Sequence, residues 1–145
     1  MLGSLDPTHH DVSTKPPRAT RSSARSDGGR RAPELRFRVR ISDGETIAVG
    51  PGKVALLEAL DRTGSITAAA KSLDMSYRRA WLLLDELNRS LREPAIETAK
   101  GGSAGGGSVL TDAGRQVVVL YRTIESKAAV ACRADIRRLM SLLAR

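Results

Sequence analysis

The sequence is poor in the residue types that carry reactive chemistry. It has one cysteine, Cys132, and two histidines, His9 and His10. A lone thiol makes no internal disulfide, and two adjacent imidazoles in a polar stretch are a poor ligand set. Disulfide scaffolds and metal sites are therefore excluded, and no cofactor is expected. No apolar run approaches the roughly 20 residues that span a bilayer, and no secretion signal opens the chain. The expectation is a cytoplasmic protein with no membrane partner. Aromatic residues make up 3% of the chain, too few for a surface that stacks single-stranded nucleic acid. There is no Ser/His/Asp or Cys/His constellation and no well-placed carboxylate pair, so catalysis has no candidate residues and no enzyme is expected.

What the sequence has is positive charge and helical periodicity. Its 145 residues fit one domain, with 24 Lys plus Arg against 16 Asp plus Glu for a net charge of +8. That balance favours polyanionic partners. Residues 1–33 hold Pro7, Pro16, Pro17 and Pro33, many Ser and Thr, and few large apolar side chains, which predicts a disordered basic tail. The folded domain is expected over 34–145.

That domain opens with Leu35-Arg36-Phe37-Arg38-Val39-Arg40-Ile41, where apolar residues alternate with arginine as in a half-buried strand. Turn chemistry at Ser42-Asp43-Gly44-Glu45 and a return through Ile47 and Val49 predict a small hairpin. Lys53 to Arg62 reads as a helix burying Val54, Leu57 and Leu60, with Ala55 and Leu56 at its margins and Gly64 at its C-terminal end. Ser65 is placed to cap a short helix through Leu73. A tight connection at Asp74 and Met75 leads to a helix over Ser76–Leu91. Its buried face is predicted from Tyr77, Ala80, Trp81, Leu84, Leu87 and Leu91.

Pro94 stops that helix. Two strand-like segments, Ala95–Lys100 and Ser108–Leu110, flank the glycine-rich run 101–107, which reads as the wing of a winged helix-turn-helix. The run lacks a Gly-Lys-Ser/Thr ending and leads into a strand, which argues against a nucleotide-binding loop. From Thr111 to Arg145 there is no proline, and residues 112–145 are predicted as one long helix. Val117, Tyr121, Ile124, Ala128, Cys132, Ile136, Leu139 and Leu143 form a stripe that calls for a second helix, so a homodimer joined along it is expected. The fold class is thus mainly α with a small antiparallel sheet, carrying a long C-terminal dimerisation helix.

A helix-turn-helix reads double-stranded DNA because a helix fits the major groove and presents its N-terminal residues to base edges. Those residues here are Ser76, Tyr77, Arg78 and Arg79. An arginine can donate two parallel hydrogen bonds to guanine, which makes Arg78 and Arg79 the candidate base readers. Ser65 and Thr67 open the preceding helix, where capping competes with phosphate contact. Lys100, Gly101, Gly102 and Ser103 are the candidate wing contacts. Tyr77 and Trp81 lie in phase with the core, so packing is preferred over stacking for both. Cys132 falls on the dimer stripe as a small apolar side chain.

Several runs together carry a family resemblance: Gly50-Pro-Gly-Lys-Val-Ala-Leu-Leu-Glu-Ala-Leu, Thr63-Gly-Ser-Ile-Thr-Ala-Ala-Ala, Met75-Ser-Tyr-Arg-Arg-Ala-Trp-Leu-Leu-Leu-Asp-Glu-Leu-Asn, and the wing at 101–111. Over about residues 35–125 the chain resembles the N-terminal domain of the molybdate-responsive ModE-type regulators, which are similar to LysR-type DNA-binding domains. The resemblance implies a dimeric, sequence-specific transcriptional regulator, with Ser76 to Arg79 at the start of its recognition helix. Family members continue into C-terminal oxyanion-binding domains that have no counterpart up to Arg145. The expectation is therefore a regulator without its own effector domain. The alternative is a winged-helix interaction module paired with a separate sensor or effector subunit.

Overall fold

The computed structural model describes residues 31–99 and 107–144. The predicted tail, apart from its last residues, lies outside them, as do the wing candidates Lys100, Gly101, Gly102 and Ser103. Within Pro33–Arg145 the chain runs β1 (Ile41–Asp43), β2 (Thr46–Val49), α1 (Pro51–Thr63), α2 (Ile66–Ser72), α3 (Tyr77–Ser90), β3 (Ile96–Thr98), β4 (Ser108–Leu110), α4 (Asp112–Ala131) and α5 (Arg133–Ser141). This is a winged helix-turn-helix with two small antiparallel sheets.

The opening hairpin exists but is shifted along the chain. Residues 31–40 form no strand, and β1 starts at Ile41, pairing Ile41 with Val49 and Asp43 with Thr46. Gly44 turns the chain at φ 60, the position that a type II′ turn reserves for glycine. The alternation before it survives as burial: Phe37 and Val39 are half-buried while Arg36, Arg38 and Arg40 face solvent. Side-chain periodicity here reports a covered face without a paired backbone.

Helix α1 is the centre of the core. Val54, Leu56, Leu57, Ala59 and Leu60 are fully buried, so Leu56 is a core residue and not a marginal one. Gly64 ends the helix in the left-handed conformation at φ 69, its N–H donating to the Leu60 carbonyl at 2.8 Å. Small residues Ala69, Ala70 and Ala80 let α2 and α3 pack closely against it.

The C-terminal segment departs from the predicted single rod. Helix α4 ends at Ala131, Cys132 has φ −98 and ψ 13, and α5 stops at Ser141. At about 1.5 Å per residue the rod of roughly 51 Å becomes segments of about 30 and 14 Å. No proline or glycine marks this break, which is why a composition-based reading passes over it. The first turns of α4 are committed to the domain itself. Thr111 Oγ1 accepts from Gly114 N–H at 3.1 Å and donates to the Pro94 carbonyl at 2.6 Å.

Candidate nucleic-acid interface

Two serine caps set the geometry of the helix-turn-helix. Ala68 N–H donates to Ser65 Oγ and Arg79 N–H to Ser76 Oγ, both at 3.2 Å. Each hydroxyl accepts in these caps and keeps its own proton available for an outside acceptor. Between the helices, Asp74 adopts φ 56 and Met75 N–H donates to the Ala70 carbonyl at 3.0 Å, closing the turn. A non-glycine residue in this region is uncommon, and aspartate is among the side chains that tolerate it.

Helix α3 is held from behind by buried Ala80, Leu84 and Leu87. Its outward line is Arg78, Leu82, Asp85 and Arg89, at steps of four, three and four. Arg78 and Arg79 are exposed, and no ion pair among the described residues uses either. Further along, the charges are paired: Arg89 meets Asp85 at 2.8 Å and Lys53 meets Glu86 at 2.7 Å. Lys53 is 4% exposed and also donates to the Ile47 carbonyl, so one ammonium ties α1 to β2 and α3. Its hydrogen bond holds the Glu86 carboxyl below the usual carboxylate range. Free cationic charge on α3 is thereby concentrated in its first turn, where the helix dipole adds to it.

The predicted buried face of α3 needs one correction. Tyr77 is 54% exposed and Trp81 is 46% exposed, so neither is the core residue that its spacing implied. At about 100° per residue, Trp81 lies nearly a quarter-turn from the line through Ala80, Leu84 and Leu87. Tyr77 sits in the first turn, ahead of the packed region. Trp81 instead borders an open hollow of about 170 Å³ with Ile66, Asp85, Asn88, Ile96 and Thr98, on the side facing β3. Tyr77, Thr67 and Ser76 line another of about 460 Å³ together with Lys71. The structure thus brings Thr67, Ser76 and Tyr77 to one surface. Ser65 is half-buried behind it. Lys71 lines the same hollow, and Leu82 shares another with Ser76, Arg78 and Arg79. Sequence reasoning missed Lys71 and Leu82, although the i to i+4 step from Arg78 to Leu82 was a usable signal.

Asn88 fixes the wing base to α3. Its Oδ1 accepts from Ala95 N–H at 2.8 Å and Ile96 N–H at 3.2 Å, while its Nδ2 donates to the Ile96 carbonyl at 3.3 Å. Strands β3 and β4 pair Ile96 with Leu110 and Thr98 with Ser108, and Ser108 N–H reaches the Gly64 carbonyl at 3.0 Å. Both strands of the wing are therefore anchored to the helical body.

On the opposite side, Arg122 makes a bidentate pair with Glu58 at 2.7 and 2.8 Å and meets Glu125 at 2.9 Å, joining α4 to α1. Of the predicted dimer stripe, Tyr121 is already spent within its own chain: it is 3% exposed, and its OH donates to the Val39 carbonyl at 2.9 Å. Val117 packs partly against the same core. Ala128 and Ile136 are half-buried, whereas Ile124, Cys132 and Leu139 are exposed. Among the described residues no cluster of His, Cys, Asp or Glu could hold a metal ion, and no helix is long and apolar enough to cross a membrane.

Residues 52–115, from the start of α1 to the first turn of α4, match the family described as bacterial regulatory helix-turn-helix protein, lysR family. This segment is similar to a LysR-type helix-turn-helix domain. The chain is also 46% identical over 81 residues to the molybdenum-pterin-binding protein MopB of Rhodobacter capsulatus, covering 56% of this chain and 30% of that protein. It is 38% identical over 71 residues to the DNA-binding transcriptional dual regulator ModE of Escherichia coli K12, covering 49% and 27%. A solved MarR family transcription regulator is 23% identical with a TM-score of 0.48, covering 59% of this chain and 58% of that one. The chain spans about a third of the length of the curated relatives it matches.

Proposed function

We infer that the chain is a sequence-specific, duplex-DNA-binding transcriptional regulator that acts as a homodimer. The observation that carries this reading is the first turn of α3. There Arg78 and Arg79 stand exposed, outside every ion pair among the described residues, at the dipole-positive end of a helix whose back is locked into the core of a domain similar to the LysR-type helix-turn-helix. Inserted N-terminus first into a major groove, this turn presents guanidinium groups to guanine O6 and N7. The Ser76 hydroxyl and the Lys71 ammonium flank it for phosphate oxygens. Thr67 and Tyr77 border the same surface, and Ser65 contributes by capping α2. The segment between β3 and β4, with Lys100, Gly101, Gly102 and Ser103, is assigned to the adjacent backbone.

The second copy is assigned to the exposed part of the α4–α5 stripe: Ile124, Ala128, Cys132, Ile136 and Leu139. A two-fold dimer would offer two recognition helices to half-sites one helical turn, or a multiple of it, apart. The test is selection of binding sites from a random duplex library at near-physiological salt, which suppresses non-specific phosphate binding. Recovery of a palindromic motif is expected. Salt-sensitive binding without a motif would sink the sequence-reading claim and turn attention to a separate effector subunit docking on α4 and α5.

A further inference from the structure

Leu82 is 47% exposed in the middle of the outward line of α3, one turn after Arg78 and ahead of the Asp85–Arg89 pair. A single exposed leucine is ordinary on a protein surface; its position is what separates this one. It lies in an open hollow of about 490 Å³ whose other lining residues are Ser76, Arg78, Arg79, Leu83, Glu86 and Arg89. The front of that hollow suits a polyanion, and the carboxylate at its back, Glu86, is held by Lys53. In the major groove the one apolar feature of a base edge is the thymine C5-methyl group, and an apolar side chain beside it discriminates thymine from the other bases.

We propose that Leu82 is a specificity-determining residue that packs on a thymine methyl group in the operator half-site. Residues four apart on a helix have Cβ atoms about 6 Å from each other, and bases along one strand rise about 3.4 Å per step. The thymine read by Leu82 therefore lies within about two base steps of the base pair read by Arg78. Beyond Leu82, the carboxylates of Asp85 and Glu86 are engaged by Arg89 and Lys53. The inference rests on the duplex-DNA reading above and gives Leu82 a chemistry that this reading leaves unassigned.

The experiment uses the full chain and the tightest duplex recovered by library selection, with a scrambled duplex of the same composition. Each thymine of one half-site is replaced in turn by deoxyuridine, which removes only the methyl group, and binding is measured by fluorescence anisotropy for the wild type and for Leu82→Ala. At least one replacement should weaken wild-type binding about fourfold, the amount expected for one methyl group lost from an apolar contact. Leu82→Ala should bind the thymine and uracil duplexes alike at that position while retaining its preference over the scrambled duplex. If the wild type prefers the selected duplex yet ignores every uracil replacement, the Leu82 assignment falls while the DNA reading stands. The same holds if Leu82→Ala keeps the discrimination in full. If the wild type does not prefer the selected duplex at all, both fall together.

Discussion

At Gly114 a single added methyl group meets backbone that has nowhere to go. A Cβ built there would lie 2.1 Å from the Ala95 carbonyl oxygen and 3.0 Å from its carbon. Replacing glycine by alanine inside a helix normally gains about 1 kcal/mol of propensity. Overpacking against a fixed backbone costs about 3 kcal/mol, so the clash wins. Gly114→Ala is expected to lower the unfolding free energy measured in urea by that net difference, about 2 kcal/mol, and a variant at or above wild-type stability would refute the close approach. Arg122 offers a second check through pH. Its hydrogen bonds hold the Glu58 carboxyl below 4.5, with burial opposing and the Arg62 charge assisting. A depressed carboxylate stabilises the fold fully above its unfolded pKa and loses that contribution as pH falls through the folded value. The loss therefore belongs below about pH 4.5. Arg122→Ala should cost about 1 kcal/mol at pH 7, as expected for a partly exposed pair with good geometry. It should cost much less at pH 3. Thermal unfolding of both proteins across pH 3 to 7 measures the convergence.

At the scale of elements, the decisive join is between α3 and the wing, and it depends on one amide. Asn88→Ala leaves Ala95 N–H and Ile96 N–H without their acceptor and should cost about 2 to 3 kcal/mol. Asn88→Asp keeps the Oδ1 acceptor of both N–H groups but sets a charged oxygen against the Ile96 carbonyl, so it should retain the Ala95 and Ile96 amide protection that Asn88→Ala loses. Hydrogen exchange at the Ala95 and Ile96 amides, alongside chemical denaturation, separates the two variants; equal protection in all three proteins would show that the amide is incidental. This join also marks the limit of what the sequence displays. The cap at Ser65 and the glycine at 64 were legible because each is satisfied within a few residues of itself. Asn88, Lys53 and Gly114 act on chain seven residues away or on other elements, and no local spacing announces that. Trp81 and Tyr77 were misplaced because a helical period gives the direction of an apolar face but not how far its cover extends. The first strand was misplaced for a related reason: alternation records which side chains are covered, while a strand needs a partner for its backbone.

For the molecule as a whole, the question is what meets the far side of α4 and α5. Ile124, Val130 and Leu139 on these helices are exposed, as are Leu142 and Leu143 just after them. The inner part of the stripe, through Tyr121, is spent on the domain's own core, so a dimer contact has to begin near Ile124. This placement makes the two halves of the stripe separable by mutation. Tyr121→Ala removes a buried ring and its bond to Val39 and should lower stability by about 3 to 5 kcal/mol, as large-to-small core changes do. The pair Ile124→Glu and Leu139→Glu changes only exposed positions and should leave monomer stability within about 0.5 kcal/mol. Sedimentation velocity of the wild type is expected to give twice the 15.5 kDa chain mass, and the double variant should fall to the single mass with an unchanged circular dichroism spectrum. The same variant should then bind a palindromic duplex no better than an isolated half-site, because the gain from linking two readers disappears with the contact. A wild type that sediments at the single mass at micromolar concentration and with duplex present would remove the dimer and leave the apolar face to a different protein.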